Sequence, residues 1–499
     1  MGDPSNRLSD RINSQPTVSN VADSTSTSPP APAPGNTQLD GAPPPTLDPG
    51  EKPPLPTRAK NGTIRFFQHT KDALCYSWVN VLLVFVPIGI ASKPAGMSEE
   101  LIFSMNAVAI IPLAGLLSHA TESVASRLGD TLGALLNVSF GNAVELILFI
   151  ILLAKDEIRV VQASLLGSIL ANLLLILGMA FLLGGLRYQE QVYNSTVTQM
   201  SACLLSLAVM SLLLPTAFHA SFSSNSTADY KTLQVSRGTS VVLLLVYVLY
   251  LLFQLKSHAY LYESTPQHII DEESHPGFLH NNVFVTPPPT AAPGMTTGRG
   301  QGLRRTASLP DRLNRTSNNP EHEGLEAAEK PEMSRTSAIM MLLISTGLVA
   351  VCADFMSDAI EPLVEKTGIS QAFIGLIILP IVGNAAEHVT AVTVAAKNKM
   401  DLAIGVAVGS SIQIAIFVTP FIVILGWIMG KDMSLYFNIF ETVSLFVTAF
   451  VINFLILDGR SNYLEGSLLI AAYVIIALAS FFYPDGCEAS QIGGSEGSC

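Results

Sequence analysis

The feature that most constrains this chain is its succession of long apolar runs. A helix needs about 20 apolar residues to cross the ~30 Å hydrocarbon core of a bilayer. Eleven runs come close to or exceed that length: 73–92, 101–121, 131–154, 158–185, 196–217, 239–256, 337–360, 371–396, 401–428, 434–457 and 463–482. Within hydrocarbon every backbone N–H and C=O must be satisfied inside its own segment, so runs of this length are expected as helices. The expectation is an all-α polytopic membrane protein with about 11 transmembrane helices. Only 13% of the 499 residues are charged, where a soluble domain carries about 25%, and mean hydropathy is +0.43. A soluble enzyme is excluded on that ground. The net charge of −12 has the wrong sign for a nucleic-acid binder. Five cysteines (75, 203, 352, 487 and 499) show neither CxxC nor other metal-ligand spacing.

Proline marks what lies outside the membrane. Thirteen of the 30 prolines fall in residues 1–60 and nine more in 257–336. Such segments bury too little apolar surface to offset the entropy of ordering. Residues 1–72 are expected as a disordered cytosolic N-tail, 73–256 as a first transmembrane half, and 257–336 as a disordered, partly acidic cytosolic linker. Residues 337–483 are expected as a second transmembrane half and 484–499 as a luminal C-tail. Orientation follows the basic flanks. Arg58, Lys60, Arg65 and Lys71 precede the first run, and Arg299, Arg304, Arg305, Arg312, Arg315, Lys330 and Arg335 lie in the linker. The C-tail carries Asp485, Glu488 and Glu496 and no base.

The two halves repeat one another at an offset of 242 residues. GNAVE at 141–145 matches GNAAE at 383–387, and the register continues ungapped through Ala154-Lys155 against Ala396-Lys397 and Gly167-Ser168 against Gly409-Ser410. That gives eight identities over 28 positions. The copies sit in the third and eighth runs, five apart, so they traverse the membrane in opposite senses. Inverted repeats with a site between them at the midplane are a transporter architecture. The expected arrangement is one N-terminal helix plus two inverted five-helix repeats.

Glu145 and Glu387 sit near the middle of these apolar runs, where a carboxylate costs several kcal/mol unless it faces a cavity or partner. Neither run offers a central Lys or Arg. Two symmetry-related carboxylates meeting at the centre suit a hard cation such as Ca²⁺, which takes six to eight oxygens. Asn142 and Asn384 each precede a Glu by three residues, on the same helix face. Gly141 and Gly383 leave their backbone unscreened, and Pro380 frees a carbonyl one turn earlier. Ser168 and Asn172 follow in one repeat, Ser410 and Gln413 in the other. His388 stands next to Glu387, about 100° round the helix, and is expected to handle protons or to influence Glu387. Its counterpart is Leu146, so that role is asymmetric. Glu122, Asp354 and Asp358 lie toward run ends, where they either line an access path or are simply solvated.

The segments GNAVELI, GNAAEHVTAV, GSILANLLLILG and GSSIQIAIFV resemble the cation/Ca²⁺ antiporter superfamily, most of all its vacuolar Ca²⁺/H⁺ exchanger branch, the CAX type of fungi and plants. The resemblance spans roughly 73–256 and 337–482. It implies that Glu145 and Glu387 bind Ca²⁺ with the Gly141 and Gly383 carbonyls, and that Asn142, Asn384, Ser410 and Gln413 line the cavity. It also implies that His388 is linked to transport, that Glu122 is an access-path acid, and that the protein sits in the vacuolar membrane. By this reading Ca²⁺ and H⁺ are transported ions, no cofactor is needed, and the bilayer is the surrounding partner, with room for a homo-oligomer. The rivals are Mn²⁺/H⁺ or Na⁺/Ca²⁺ antiport and, from another class, a carboxylate-lined cation channel. An intramembrane hydrolase lacks support, because the chain has neither HExxH nor a GxGD motif.

Overall fold

Helix caps punctuate the apolar runs where the sequence supplies short polar side chains. Asn194 accepts from the backbone N–H groups of Thr196 and Val197, and Asn462 from those of Leu464 and Glu465. Asn438 and Glu441 form a reciprocal capping box, which satisfies two of the donors a helix start leaves open. Gly368 and Gly430 close helices at φ +70° and +73°, a left-handed conformation that glycine adopts without steric cost.

The computed structural model describes residues 77–128, 130–222, 225–258 and 335–483. The expected N-tail (1–72) and C-tail (484–499) lie outside the described residues, as does the linker apart from its edges. After a 3₁₀ turn at Trp78–Val84 come α1 (Phe85–Ser92), α2 (Glu99–Ala125), α3 (Asp130–Gly141), α4 (Ala143–Ala154) and α5 (Ile158–Arg187). Next are β1 (Gln191–Val192), α6 (Ser195–His219) and α7 (Asn225–Leu252). The second half holds α8 (Arg335–Asp358), α9 (Ile360–Thr367), α10 (Gln371–Gly383), α11 (Ala385–Ala396) and α12 (Met400–Met429). It closes with α13 (Ile439–Leu455), β2 (Arg460–Ser461) and α14 (Tyr463–Phe481), and β1 pairs antiparallel with β2 across the halves.

Each of the eleven runs is helical over most of its described residues. Among the described residues, seven helices are long and apolar enough to span a membrane, or eight when the bent pair α10–α11 is taken as one span. The other runs form the shorter apolar helices Trp78–Ser92, Ala143–Ala154 and Ile439–Leu455. The difference from eleven full spans has a visible cause in the third and eighth runs. Each was expected as one helix, and each is broken at its asparagine, with Asn142 at φ −96°, ψ 28° and Asn384 at φ −91°, ψ 20°. Helices α10 and α11 diverge by 57°.

The repeat is written into the backbone. Helices α4 and α11 begin and end 242 residues apart, as do α5 and α12, both 30 residues long. Both long helices widen into a π turn at equivalent depth, Ala171–Ile176 and Ile414–Val418. The two described non-glycine residues with positive φ are Asp156 (71°) and Asn398 (59°), again 242 apart. Helix α5 is buried on nearly all sides, with Leu165, Leu166, Ile169 and Leu170 fully buried beside the polar Ser168 and Asn172. Helices α6, α7, α13 and α14 instead expose rows such as Met210 and Leu214, Leu245 and Leu249, Phe446 and Phe450, and Ile475 and Leu478. Apolar rows of that extent are matched to lipid rather than to water.

Candidate functional site

The break in each repeat positions the acids. Gly141 and Gly383 end the first half-helices, Asn142 and Asn384 occupy the breaks, and Glu145 and Glu387 fall in the first turn of α4 and α11. The asparagine carbonyls restart the helices, accepting from Leu146 N at 3.0 Å and His388 N at 3.1 Å. A helix start carries partial positive charge, which favours a carboxylate in its first turn. The Pro380 carbonyl, upstream of the second break, is taken up by Asn384 N at 3.0 Å.

These elements bring side chains of both repeats together. Glu145 is 2% exposed and lies over Gly383, so that a Cβ on that glycine would stand 3.2 Å from Glu145 Cγ and 3.9 Å from Oε1. Ser168 and Asn384 flank its carboxylate, and Glu387 lies within electrostatic reach. Asn142 Nδ2 donates across the repeats to Gln413 Oε1 at 2.9 Å. His388 Nδ1 donates to the Asn384 carbonyl at 2.7 Å, which fixes its tautomer and leaves Nε2 as an acceptor when the ring is neutral.

The cluster holds many polar atoms without a protein partner. Both Glu145 oxygens, both amide atoms of Asn172 and of Asn384, Asn142 Oδ1, Glu387 Oε2 and His388 Nε2 are buried with no hydrogen bond from the protein. One such orphan typically costs about 1–3 kcal/mol. Concentrated around two carboxylates, they describe a site completed by cations, protons or water. Among the described residues no three His, Cys, Asp or Glu side chains converge on a metal position. The donors are therefore two carboxylates and neutral oxygens, a hard set that suits an ion meant to leave again.

One side of this cluster opens. A cavity of about 630 Å³ is lined by Glu122, Gly141, Asn194, Asp401, Glu387, Ser410 and Gln413, among others. It reaches the C-terminal end of α2 and the N-terminal ends of α6 and α12. Glu387 faces it, whereas Glu145, Asn142, Ser168, Asn172, Gly383 and Asn384 form the buried wall behind. Glu122 thus stands on the access route. Asp354 and Asp358 stand at the other end of the bundle, where Lys155 bridges them at 2.7 and 2.5 Å and Lys93 pairs with Asp358. Asp401 went unread in the sequence because an acid in a first helical turn is explained by the helix dipole alone. Its Oδ1 accepts from Asn194 N at 2.6 Å at the cavity mouth.

The closed end carries its own pH dependence. Glu157, in the turn between α4 and α5, is held above the usual carboxylate range by burial and then by repulsion from Glu361 and Asp156, against the pull of Lys155. A raised folded-state value means this group favours the fold below its ordinary range and that the contribution is lost as pH rises through the raised value. Glu157→Gln should therefore raise the Tm of the detergent-purified protein at neutral pH. The gain should shrink as pH falls toward the ordinary carboxylate range; an equal gain at every pH would contradict this.

Comparison with known proteins places this geometry in a lineage. Residues 100–256 and 337–482 match the model of the sodium/calcium exchanger protein family. A vacuolar calcium ion transporter of Schizosaccharomyces pombe is 44% identical over 415 residues, covering 83% of this chain and 87% of that protein. A Ca²⁺/H⁺ antiporter of Aphanothece halophytica is 43% identical over 404 residues, covering 81% and 96%. Among solved structures, native YfkE superposes with a TM-score of 0.61 at 30% identity, covering 81% of this chain and all of that one.

Proposed function

The chain belongs to the sodium/calcium exchanger protein family, and we propose that it is a secondary transporter exchanging cytosolic Ca²⁺ for luminal H⁺ by alternating access across a vacuolar membrane. The observation that carries this reading is the pair Glu145 and Glu387, contributed by inverted repeats and surrounded by buried polar atoms that lack protein partners. Relatives named for vacuolar calcium transport and Ca²⁺/H⁺ antiport at 43–44% identity support the choice of ions and of membrane.

In this reading Glu145 and Glu387 hold Ca²⁺ with the Asn142 and Asn384 amide oxygens and the Gly141 and Gly383 carbonyls, while Ser168, Asn172, Ser410 and Gln413 complete the lining. Two carboxylates this deep are too costly to remain ionised and unoccupied, so protons take the place of a departing Ca²⁺. His388 serves the proton exchange from beside Glu387. The helices change access once the charge is neutralised, which couples the two fluxes. Each pH unit across the membrane supplies about 1.4 kcal/mol per proton. An acidic lumen therefore draws Ca²⁺ inward.

The orientation proposed from the basic flanks puts the N-tail and linker in the cytosol and the C-tail in the lumen. The cavity, which includes Gln254 near the end of the first half and Asn194, then faces the cytosol. Glu122 and Asp401 at its mouth draw cations in.

The test is flux into reconstituted vesicles. With an acidic interior and no Na⁺, ⁴⁵Ca²⁺ should accumulate above equilibrium, and a protonophore should abolish the accumulation. An outward Na⁺ gradient should not replace the pH gradient, and Mn²⁺ added with Ca²⁺ reports competition. Accumulation driven by Na⁺, or channel-like equilibration indifferent to pH, would overturn the proposal.

A further inference from the structure

The two repeats share one sequence register and differ in how their equivalent glycines are packed. At the closed end Gly167 of α5 presses on α10. A Cβ there would stand 2.3 Å from the Leu376 carbonyl oxygen and 2.7 Å from Pro380 Cγ. Its counterpart 242 residues later is Gly409 of α12, where among the described residues a Cβ would meet nothing within 4 Å, because this face opens into the cavity. A second pair behaves in the same way. Ala163 touches α10, its Cβ 2.7 Å from where one on Gly375 would stand. Its counterpart Gly405 also has open space and lines the cavity. The acids repeat the pattern, since Glu145 covers Gly383 while Gly141 has nothing within 4 Å.

Helix α10 is thus seated on α5, and its equivalent α3 stands off α12. Two copies of one motif caught in different packing report two states available to each, because packed interfaces are bistable rather than continuously deformable. We propose that Gly405 and Gly409 are the empty seat for α3, and that α3 docks there, with the Ala134 carbonyl approaching Gly409, when the cavity closes. The docking copies the contact that α10 makes with Gly167 at the opposite end. The inference rests on the alternating-access reading and adds to it the moving element and the surface it lands on.

Gly409→Ala tests this sharply. In the cavity-open state the added methyl meets empty space, and alanine is the better helix former, so the protein should fold and bind Ca²⁺ from the cavity side as before. In the closed state the methyl would meet a carbonyl at the distance seen for Gly167. Such overpacking should lower pH-driven ⁴⁵Ca²⁺ uptake by about tenfold or more. Gly347→Ala, in α8 and away from the cavity with open space around it, is the control for glycine replacement in a helix and should transport normally.

A second readout does not depend on ion identity. Thr390 lines the cavity, and a Thr390→Cys probe in a chain cleared of native cysteines can be labelled with a membrane-impermeant maleimide. In the parent chain, acidification or Ca²⁺ should change the labelling rate; with Gly409→Ala the rate should stay at its open-state value under every condition. Wild-type uptake by Gly409→Ala would overturn the proposal, as would loss of equilibrium ⁴⁵Ca²⁺ binding or cavity closure that persists in the labelling assay. If the parent chain fails to exchange Ca²⁺ for H⁺ while the labelling contrast holds, the transport reading falls and the seat stands.

Discussion

Glu387→Gln should abolish pH-driven ⁴⁵Ca²⁺ uptake, and Glu145→Gln should do the same by removing the other half of the site. Glutamine keeps the shape and one oxygen of glutamate while deleting the charge that both Ca²⁺ and a proton neutralise. Losing one charged ligand of a desolvated ion costs about 3 kcal/mol or more, a factor of at least about 100 in affinity. Exchange suffers further, because a permanently neutral side chain has no proton to trade. The two variants should differ in how Ca²⁺ arrives. Glu387 faces the cavity, so its loss should slow association, whereas Glu145, 2% exposed behind it, should chiefly govern retention. Stopped-flow Ca²⁺ binding separates the two rates. Uptake by Glu387→Gln at more than a few per cent of wild type would sink the two-carboxylate model.

How far the chain itself disclosed this site depends on which physical signal each part left. The spans were legible because a bilayer imposes a length and a polarity that few other environments demand. The inverted repeat was legible because Gly141, Asn142, Glu145 and their mates at 383, 384 and 387 are costly or special residues that apolar helices do not acquire by accident. The break at each asparagine was not legible. GNAVE and GNAAE lie in long apolar runs; Pro380 weakens the helix one turn before the second, but the first breaks in the same way at Asn142 with no proline between 130 and 141 to announce it. The assignment of sides escaped for a similar reason. Asp354 and Asp358 look like Glu122 in sequence, all being acids near run ends, and only the fold separates the ion pairs with Lys93 and Lys155 from the cavity wall. The asymmetry between Gly167 and Gly409 could not be read at all, since the two positions are identical in sequence and differ only in conformation.

That same asymmetry makes Gly383→Val the second large effect. A side chain at Gly383 would grow directly under the Glu145 carboxylate, its Cβ alone standing 3.2 Å from Cγ. Valine adds two further methyl groups on a stiff χ1, and the wall behind Glu145 is close-packed, with Ser168 1% and Asn384 0% exposed. The added methyl groups therefore push the carboxylate from its place beside Gly383 and off the ion. Equilibrium ⁴⁵Ca²⁺ binding should weaken by about tenfold or more, the usual scale for overpacking by 1–3 kcal/mol. Gly141→Val is the symmetry-related change and should behave differently. With nothing within 4 Å of that position, the valine fits the cavity-open state, so binding from the open side should survive while turnover fails once Glu387 must close over residue 141. A binding defect of equal size in both variants would mean that the two glycines are equivalent in the resting protein, and that the enclosure of Glu145 and the openness at Glu387 do not govern how the site is filled.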